Sequence, residues 1–185
     1  MSKGRATRER MIGVAAEAIE EMGPAATGIN EVLRRAGAPR GSLYFHFPGG
    51  KDELVAEAVR FGAGRITELA VTAADEGGSA ADVIGRLIKA LADRQEESGF
   101  TKGCPVAGTA LDAPAGSELA GLCAEIYDGW EATLRGLITA EGRPEALAGQ
   151  ILALVEGALL LSRVRATRAP LDAATVTVRT LLEAA

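Results

Sequence analysis

Apolar residues recur every three or four positions along almost the whole chain, and polar–apolar alternation is scarce. That spacing lines up one face of an α-helix, whereas a half-buried strand needs a period of two. Ala and Leu, both strong helix formers, are abundant. Gly and Pro mark the interruptions: Gly23-Pro24, Gly37 to Pro39, Pro48-Gly49-Gly50, Gly77-Gly78, Pro114-Ala115-Gly116 and Gly142-Arg143-Pro144. The pattern predicts an all-α fold of nine helices. They cover about 7–22, 27–35, 40–46, 51–74, 79–98, a short sixth opening at Pro105, 117–141, 144–166 and 172–183. Thr27, Ser79 and Asp172 are the expected caps of the second, fifth and ninth.

With 185 residues, 48% of them hydrophobic, the chain can bury a real core without disulfides. Cys104 and Cys123 are too few for a disulfide scaffold and read as buried small hydrophobes, with a redox sensor as the alternative. The longest apolar stretch, from Ile151 to Leu161, is interrupted by Glu156 and Gly157. It falls short of the ~18 uncharged residues a membrane span needs. The basic N-terminus has no apolar stretch to make a signal peptide. The expectation is a soluble cytoplasmic protein with no membrane partner. His46 is the only histidine, and there is no glycine-rich phosphate loop. No catalytic residue, metal or cofactor is therefore expected, and an enzyme working through Cys104 or Cys123 is the disfavoured alternative.

The net charge of −5 is unevenly spread. Residues 1–60 carry nine basic and eight acidic groups, so all of the acidic excess lies beyond them. Within that first part the basic groups cluster: an arm from Lys3 to Arg10, then Arg34, Arg35 and Arg40, then Lys51.

Residues 27–47, TGINEVLRRAGAPRGSLYFHF, read as two short helices joined by a glycine-containing turn, a helix-turn-helix. Gly37 sits where the first helix must end and the chain reverse. Pro39 presets entry to the next helix, and Arg40 falls at its N-terminus, the part of such a motif that meets base edges. Arg can grip guanine O6 and N7 with two bonds. Gly41 removes side-chain bulk beside it. Three of the seven aromatics, Tyr44, Phe45 and Phe47, lie within four residues and cannot all point inward. Phe47 reads as core. Ser42, Tyr44 and His46 can donate to phosphate oxygens, and Lys51 opens the next helix, where a phosphate is favoured.

The stretch AGAPRGSLYFHFPGGKDEL resembles the DNA-binding signature of TetR-type transcriptional repressors. TGINEVL and the later GCPVAGTALDAP resemble the LmrA/YxaF-like branch of that family. The resemblance runs over the whole chain. It implies an all-helical homodimer with an N-terminal three-helix helix-turn-helix domain at 1–50 and an effector-binding and dimerisation domain at 51–185. It also implies base contacts by Arg40 and Gly41, and phosphate contacts by Thr27, Ser42, Tyr44, His46 and Lys51. Pro39 stands where the wider family commonly has Ser, which removes one possible phosphate hydroxyl.

In the body, Phe61, Phe100, Tyr127 and Trp130 are large residues that core packing explains least. With Cys104 and Glu156 they form the expected ligand pocket, among the fourth to eighth helices. Glu156 is either a pocket group or a hydrogen-bonding group at an interface, and plain core remains open for all of these. The eighth helix is apolar around most of its circumference, as burial on two sides requires. Leu147, Ile151, Leu154, Ala158 and Leu161, with Val176 and Leu181 of the ninth, form the expected dimer seam. The function so implied is ligand-responsive regulation of transcription, by a repressor that binds a palindromic double-stranded operator as a homodimer and is released by a small hydrophobic organic effector. The alternative is a dimeric small-molecule-binding protein with weak or no DNA binding.

Overall fold

The computed structural model describes residues 3–184, with residue 3 given as backbone only. Met1, Ser2 and Ala185, which belong to the two expected domains, and the side chain of Lys3 in the basic arm, lie outside that description. The described residues form nine helices and no strand. In order they are α1 (Lys3–Ala26), α2 (Ile29–Arg35), α3 (Ser42–His46), α4 (Gly50–Asp75), α5 (Ala80–Glu97), α6 (Pro105–Asp112), α7 (Glu118–Ala140), α8 (Leu147–Arg165) and α9 (Ala169–Ala184). The chain packs as two units. One holds the residues up to Gly64 together with Pro105–Ala124; the other holds Arg65–Cys104 and the residues from Glu125 onward. Helices α4 and α7 each contribute to both.

In the first unit α1 presents Met11, Ile12, Ala15, Ala18 and Ile19 to the core. Met22, whose spacing from Ala18 and Ile19 would place it on the same face, is exposed, and Gly23 (φ 77°) leaves helical geometry one residue later. Asp112 at the end of α6 holds this kink by accepting from the Ala25 N–H at 3.1 Å. Close contact continues at Gly62 of α4, where a Cβ would stand 3.0 Å from the Pro105 ring.

Helix α2 is capped at its N-terminus by Gly28 with no side-chain bond, not by Thr27. The Thr27 hydroxyl instead donates to the Gly23 carbonyl at 2.8 Å. At the other end Gly37 (φ 61°) takes the left-handed conformation. The Ala38 N–H donates to Leu33 O at 2.9 Å and the Gly37 N–H to Arg34 O at 3.2 Å. Those two bonds are the Schellman closure that a glycine at this position permits.

The second unit has one apolar core. Ile84, Ile88 and Leu91 of α5 meet Ile138 of α7, Ala148, Ile151 and Leu159 of α8, and Leu171, Ala174 and Val178 of α9. Helix α8 is long and apolar enough, by length and composition alone, to cross a membrane. Burial accounts for only part of that apolar character: Leu147, Ala148, Ile151, Ala158, Leu159 and Ser162 are enclosed within this unit, while Leu160, Leu161 and Val164 are exposed. Helix α9 begins at Ala169, so Asp172 lies in its first turn and is not its cap.

Helix α5 opens with the expected cap. The Ser79 hydroxyl accepts from the Asp82 N–H, and the Asp82 carboxylate accepts from the Ser79 N–H at 3.2 Å, a complete capping box. Hydrogen bonds from the Ser79 side chain, then from Arg179 and the Ser79 backbone, hold the Asp82 carboxyl down to about 2. Ser79→Ala is expected to lower stability by about 1 kcal/mol, measured by denaturant titration. The Asp82 contribution is present above the ordinary carboxylate value near ~4 and is lost as pH falls towards about 2. Asp82→Asn should remove that segment of the acid-unfolding profile.

Candidate DNA-reading surface and internal cavity

Helix α3 has only five residues, too few to persist by its own hydrogen bonds. Its position comes from burial: Leu43 and Phe47 are enclosed in the core of the first unit. The Arg8 guanidinium lies 4.9 Å from the Phe47 ring centroid and pairs with Glu57 at 3.0 Å. With residues 43 and 47 turned inward, the rest of the helix faces out. Tyr44 is 72% exposed and Phe45 79% exposed, with Phe45 edge-on to His46 at 4.9 Å between centroids.

Arg40 and Gly41 were expected inside this helix, but the helix begins at Ser42 and Gly41 is its N-cap. Arg40 sits in the preceding turn, which the Ser42 N–H closes by donating to Pro39 O at 2.9 Å. Arg40 and Gly41 are exposed, and Ser42, His46 and Lys51 are half-buried. Lys51 stands in the first turn of α4. The fold thus brings Arg40, Gly41, Ser42, Tyr44 and His46 onto one short segment. Thr27 is different: it is buried, its hydroxyl is committed to Gly23, and its N–H donates to Pro24 O at 3.3 Å.

Ion pairs occupy much of the remaining positive charge. Arg34 pairs with Glu31 at 2.6 Å, Arg35 with Glu17 at 3.2 Å, and Arg5 with Glu9 at 3.1 Å. The pairing with Arg34, first by hydrogen bond, holds the Glu31 carboxyl below its usual value. Arg40 and Lys51 take part in no ion pair among the described residues.

The second unit contains a cavity of about 240 Å³ that is partly open to solvent. Its walls come from α4 (Ile66, Thr67, Ala70), α5 (Leu87, Leu91), α7 (Trp130, Leu134) and α8 (Leu152, Val155, Glu156). Helix α6, expected to border the pocket, supplies no wall residue. Of the residues expected there, Trp130 and Glu156 line the cavity. Trp130 donates from Nε1 to Thr67 Oγ1 at 3.1 Å and meets Tyr127 edge-on at 5.6 Å between centroids. Tyr127 and Cys104 do not line it, and both hydrogen-bond to Glu156. Cys104 also borders a second, smaller cavity beside Gln95. Phe61 is exposed and Phe100 half-buried in a left-handed turn (φ 61°), and neither lines the main cavity. Residues not anticipated, such as Leu134, Leu137 and Leu152, share helical faces with Trp130 or Glu156 at spacings of three, four or seven. Those spacings are the signal that could have found them.

The expected seam residues divide by burial. Leu147, Ile151 and Ala158 are buried inside their own unit, Leu154 and Leu181 are half-buried, and Leu161 and Val176 are exposed. The exposed side of α8 carries Ala153, Gly157, Leu160, Leu161 and Val164, and that of α9 carries Ala173 and Val176.

One thiol and one carboxyl are shifted upward by burial. Burial pushes the Cys123 thiol up, away from the thiolate form that reacts. Burial likewise pushes the Glu156 carboxyl up, and hydrogen bonds from Cys104 and Tyr127 pull only partly against it. The folded chain therefore holds the Glu156 proton more tightly than the unfolded one, so this group costs stability as pH rises past the usual glutamate value. Glu156→Gln is expected to melt higher than the parent at pH 8, with the gap closing near pH 4 in thermal unfolding scans. Identical melting temperatures at both pH values would contradict this account.

Residues 12–58, spanning most of α1, all of α2 and α3 and the start of α4, match the family model of bacterial regulatory proteins of the tetR family. Residues 80–176 match the model of the LmrA/YxaF-like transcriptional regulator C-terminal domain. The chain is 35% identical to an uncharacterised HTH-type transcriptional regulator of Mycobacterium tuberculosis, over 95% of this chain and 93% of that one. It is 31% identical to the HTH-type transcriptional regulator LmrA of Bacillus subtilis, over 89% and 90% of the two chains. Among solved structures, a TetR transcriptional regulator of Chloroflexus aurantiacus superposes with a TM-score of 0.85 at 28% identity, over 99% of this chain and 97% of that one. The helix-turn-helix anchored by Leu43 and Phe47 and the helical second unit thus match the two parts of one kind of transcriptional regulator: the chain belongs to the TetR family, in its LmrA/YxaF-like branch.

Proposed function

We propose that this regulator is a repressor that binds a palindromic operator as a homodimer and leaves it when a small hydrophobic organic effector fills the cavity. The observation that carries this reading is one chain holding both an outward-facing helix-turn-helix segment and a partly open, largely apolar cavity of about 240 Å³. Residues 1–50 do the reading in the cytoplasm, and 51–185 bind effector and partner. Arg40 and Gly41 meet base edges, while Ser42, Tyr44, His46 and Lys51 hold phosphates. Thr27 supports that surface through its bond to Gly23. The seam between copies uses the exposed residues Leu160, Leu161 and Val164 of α8 and Val176 of α9, since an apolar strip of this kind favours a covering partner. The effector acts only through its different affinity for the DNA-bound and released states.

One observation favours a second reading, a dimeric ligand-binding protein with weak or no DNA binding. Arg5, Arg8, Arg34 and Arg35 are already paired with acidic neighbours. Selection of duplexes from a random pool, at one stated salt concentration, separates the two. An enriched palindrome supports the repressor, and no enrichment from folded dimer supports the second reading.

Against the selected site, Arg40→Ala is expected to cost about 1–3 kcal/mol and relax preference at one base pair per half-site. Lys51→Ala is expected to weaken all sequences alike and reduce the salt slope by about one phosphate contact per subunit. Wild-type binding by both variants would overturn the assignment of the reading surface. The double variant Leu161→Arg with Val176→Arg is expected to sediment as a folded monomer. It should lose affinity for a full palindrome far more than for a half-site.

A further inference from the structure

Apart from Glu156, the cavity wall offers only apolar side chains, the Thr67 and Thr133 hydroxyls and the Trp130 indole. Glu156 is its only ionisable residue. Of the two carboxyl oxygens of Glu156, Oε2 is buried and has no hydrogen-bond partner. Tyr127 and Cys104 already donate to this carboxyl, yet no lysine or arginine lines the cavity to balance it. A buried carboxylate short of a donor and a counter-charge is costly, and whatever supplies both recovers that cost on binding.

We infer that the effector is a compact hydrophobic amine, whose protonated nitrogen donates to Glu156 while its hydrocarbon body fills the space between Leu87, Leu134 and Leu152. This deepens the proposed effector reading and rests on it. The size follows from the cavity, which lies below the ~300–1,000 Å³ of most drug-sized ligand sites. The hydrocarbon body follows from the walls. A neutral alcohol could satisfy Oε2 but would leave the charge unbalanced, and a carboxylic acid would add a second negative group. Trp130, in the same wall, gives a cation a further attractive aromatic neighbour.

The test uses three probes that share one hydrocarbon cage: 1-adamantylamine, 1-adamantanol and 1-adamantanecarboxylate. Binding to the full chain is measured by calorimetry at neutral pH, for wild type, Glu156→Gln and Ala70→Leu. Glu156→Gln keeps the shape and can still accept from Tyr127, so folding is checked by its melting curve. Wild type is expected to bind the amine about tenfold or more tighter than the alcohol, and the carboxylate weakest. In Glu156→Gln the amine preference should collapse to about twofold or less while alcohol binding persists. Ala70→Leu, which narrows the cavity, should weaken the amine and the alcohol together. Equal binding of amine and alcohol by wild type, with both weakened in Ala70→Leu, overturns the amine assignment and leaves the cavity as an effector site. An amine preference that survives in Glu156→Gln overturns the role of Glu156. Failure of all three probes to bind wild type overturns the effector reading of the cavity itself.

Discussion

Burial of Leu43 and Phe47 is the interaction on which the proposed reading surface depends. A helix of five residues has no independent stability, so its orientation is set by what those two side chains pack against. The same burial explains why Tyr44 and Phe45 point outward: a single helical turn has one inner face, and it is already filled. Around that anchor the local devices agree. The Schellman closure at Gly37 ends α2, the Pro39 turn aims the chain into α3, and Gly50 (φ 71°) closes onto Phe47 O at 2.8 Å to start α4. Each device is individually weak, and together they leave the backbone between residues 36 and 50 little freedom.

Helix α8 carries a different constraint. One side is enclosed in the core and lines the cavity through Leu152, Val155 and Glu156, while the other exposes Leu160, Leu161 and Val164. Side chains on the two faces share one backbone, so a displacement that makes room for a ligand also moves the outer strip. That gives the proposed effector a route to the proposed seam with no separate linkage element.

Most of the fold was legible because helical periodicity survives in an Ala- and Leu-rich chain. Glycine and proline marked the breaks, and the Ser79 cap is where the residues say it should be. The errors lie where tertiary contacts outrank local preference. Thr27 looks like a helix cap but spends its hydroxyl on Gly23, and Arg40 looks helical but is held in a turn. Met22 and Phe61 fit apolar stripes and are nonetheless exposed. In the cavity, Trp130 and Glu156 stood out as oddities of type. Leu134 and Leu152 did not, because a leucine beside a void and a leucine in a packed core have the same spacing.

The placement of Trp130 has an optical consequence. It is the chain's one tryptophan, and it stands in the cavity wall with its indole nitrogen bonded to Thr67. The DNA-reading unit contains none. Indole emission therefore originates entirely in the second unit, and its wavelength and yield register the polarity and quenching around that one cavity wall. The unlabelled protein thus carries an internal lamp placed to report occupancy by the proposed effector, and silent about events confined to α3.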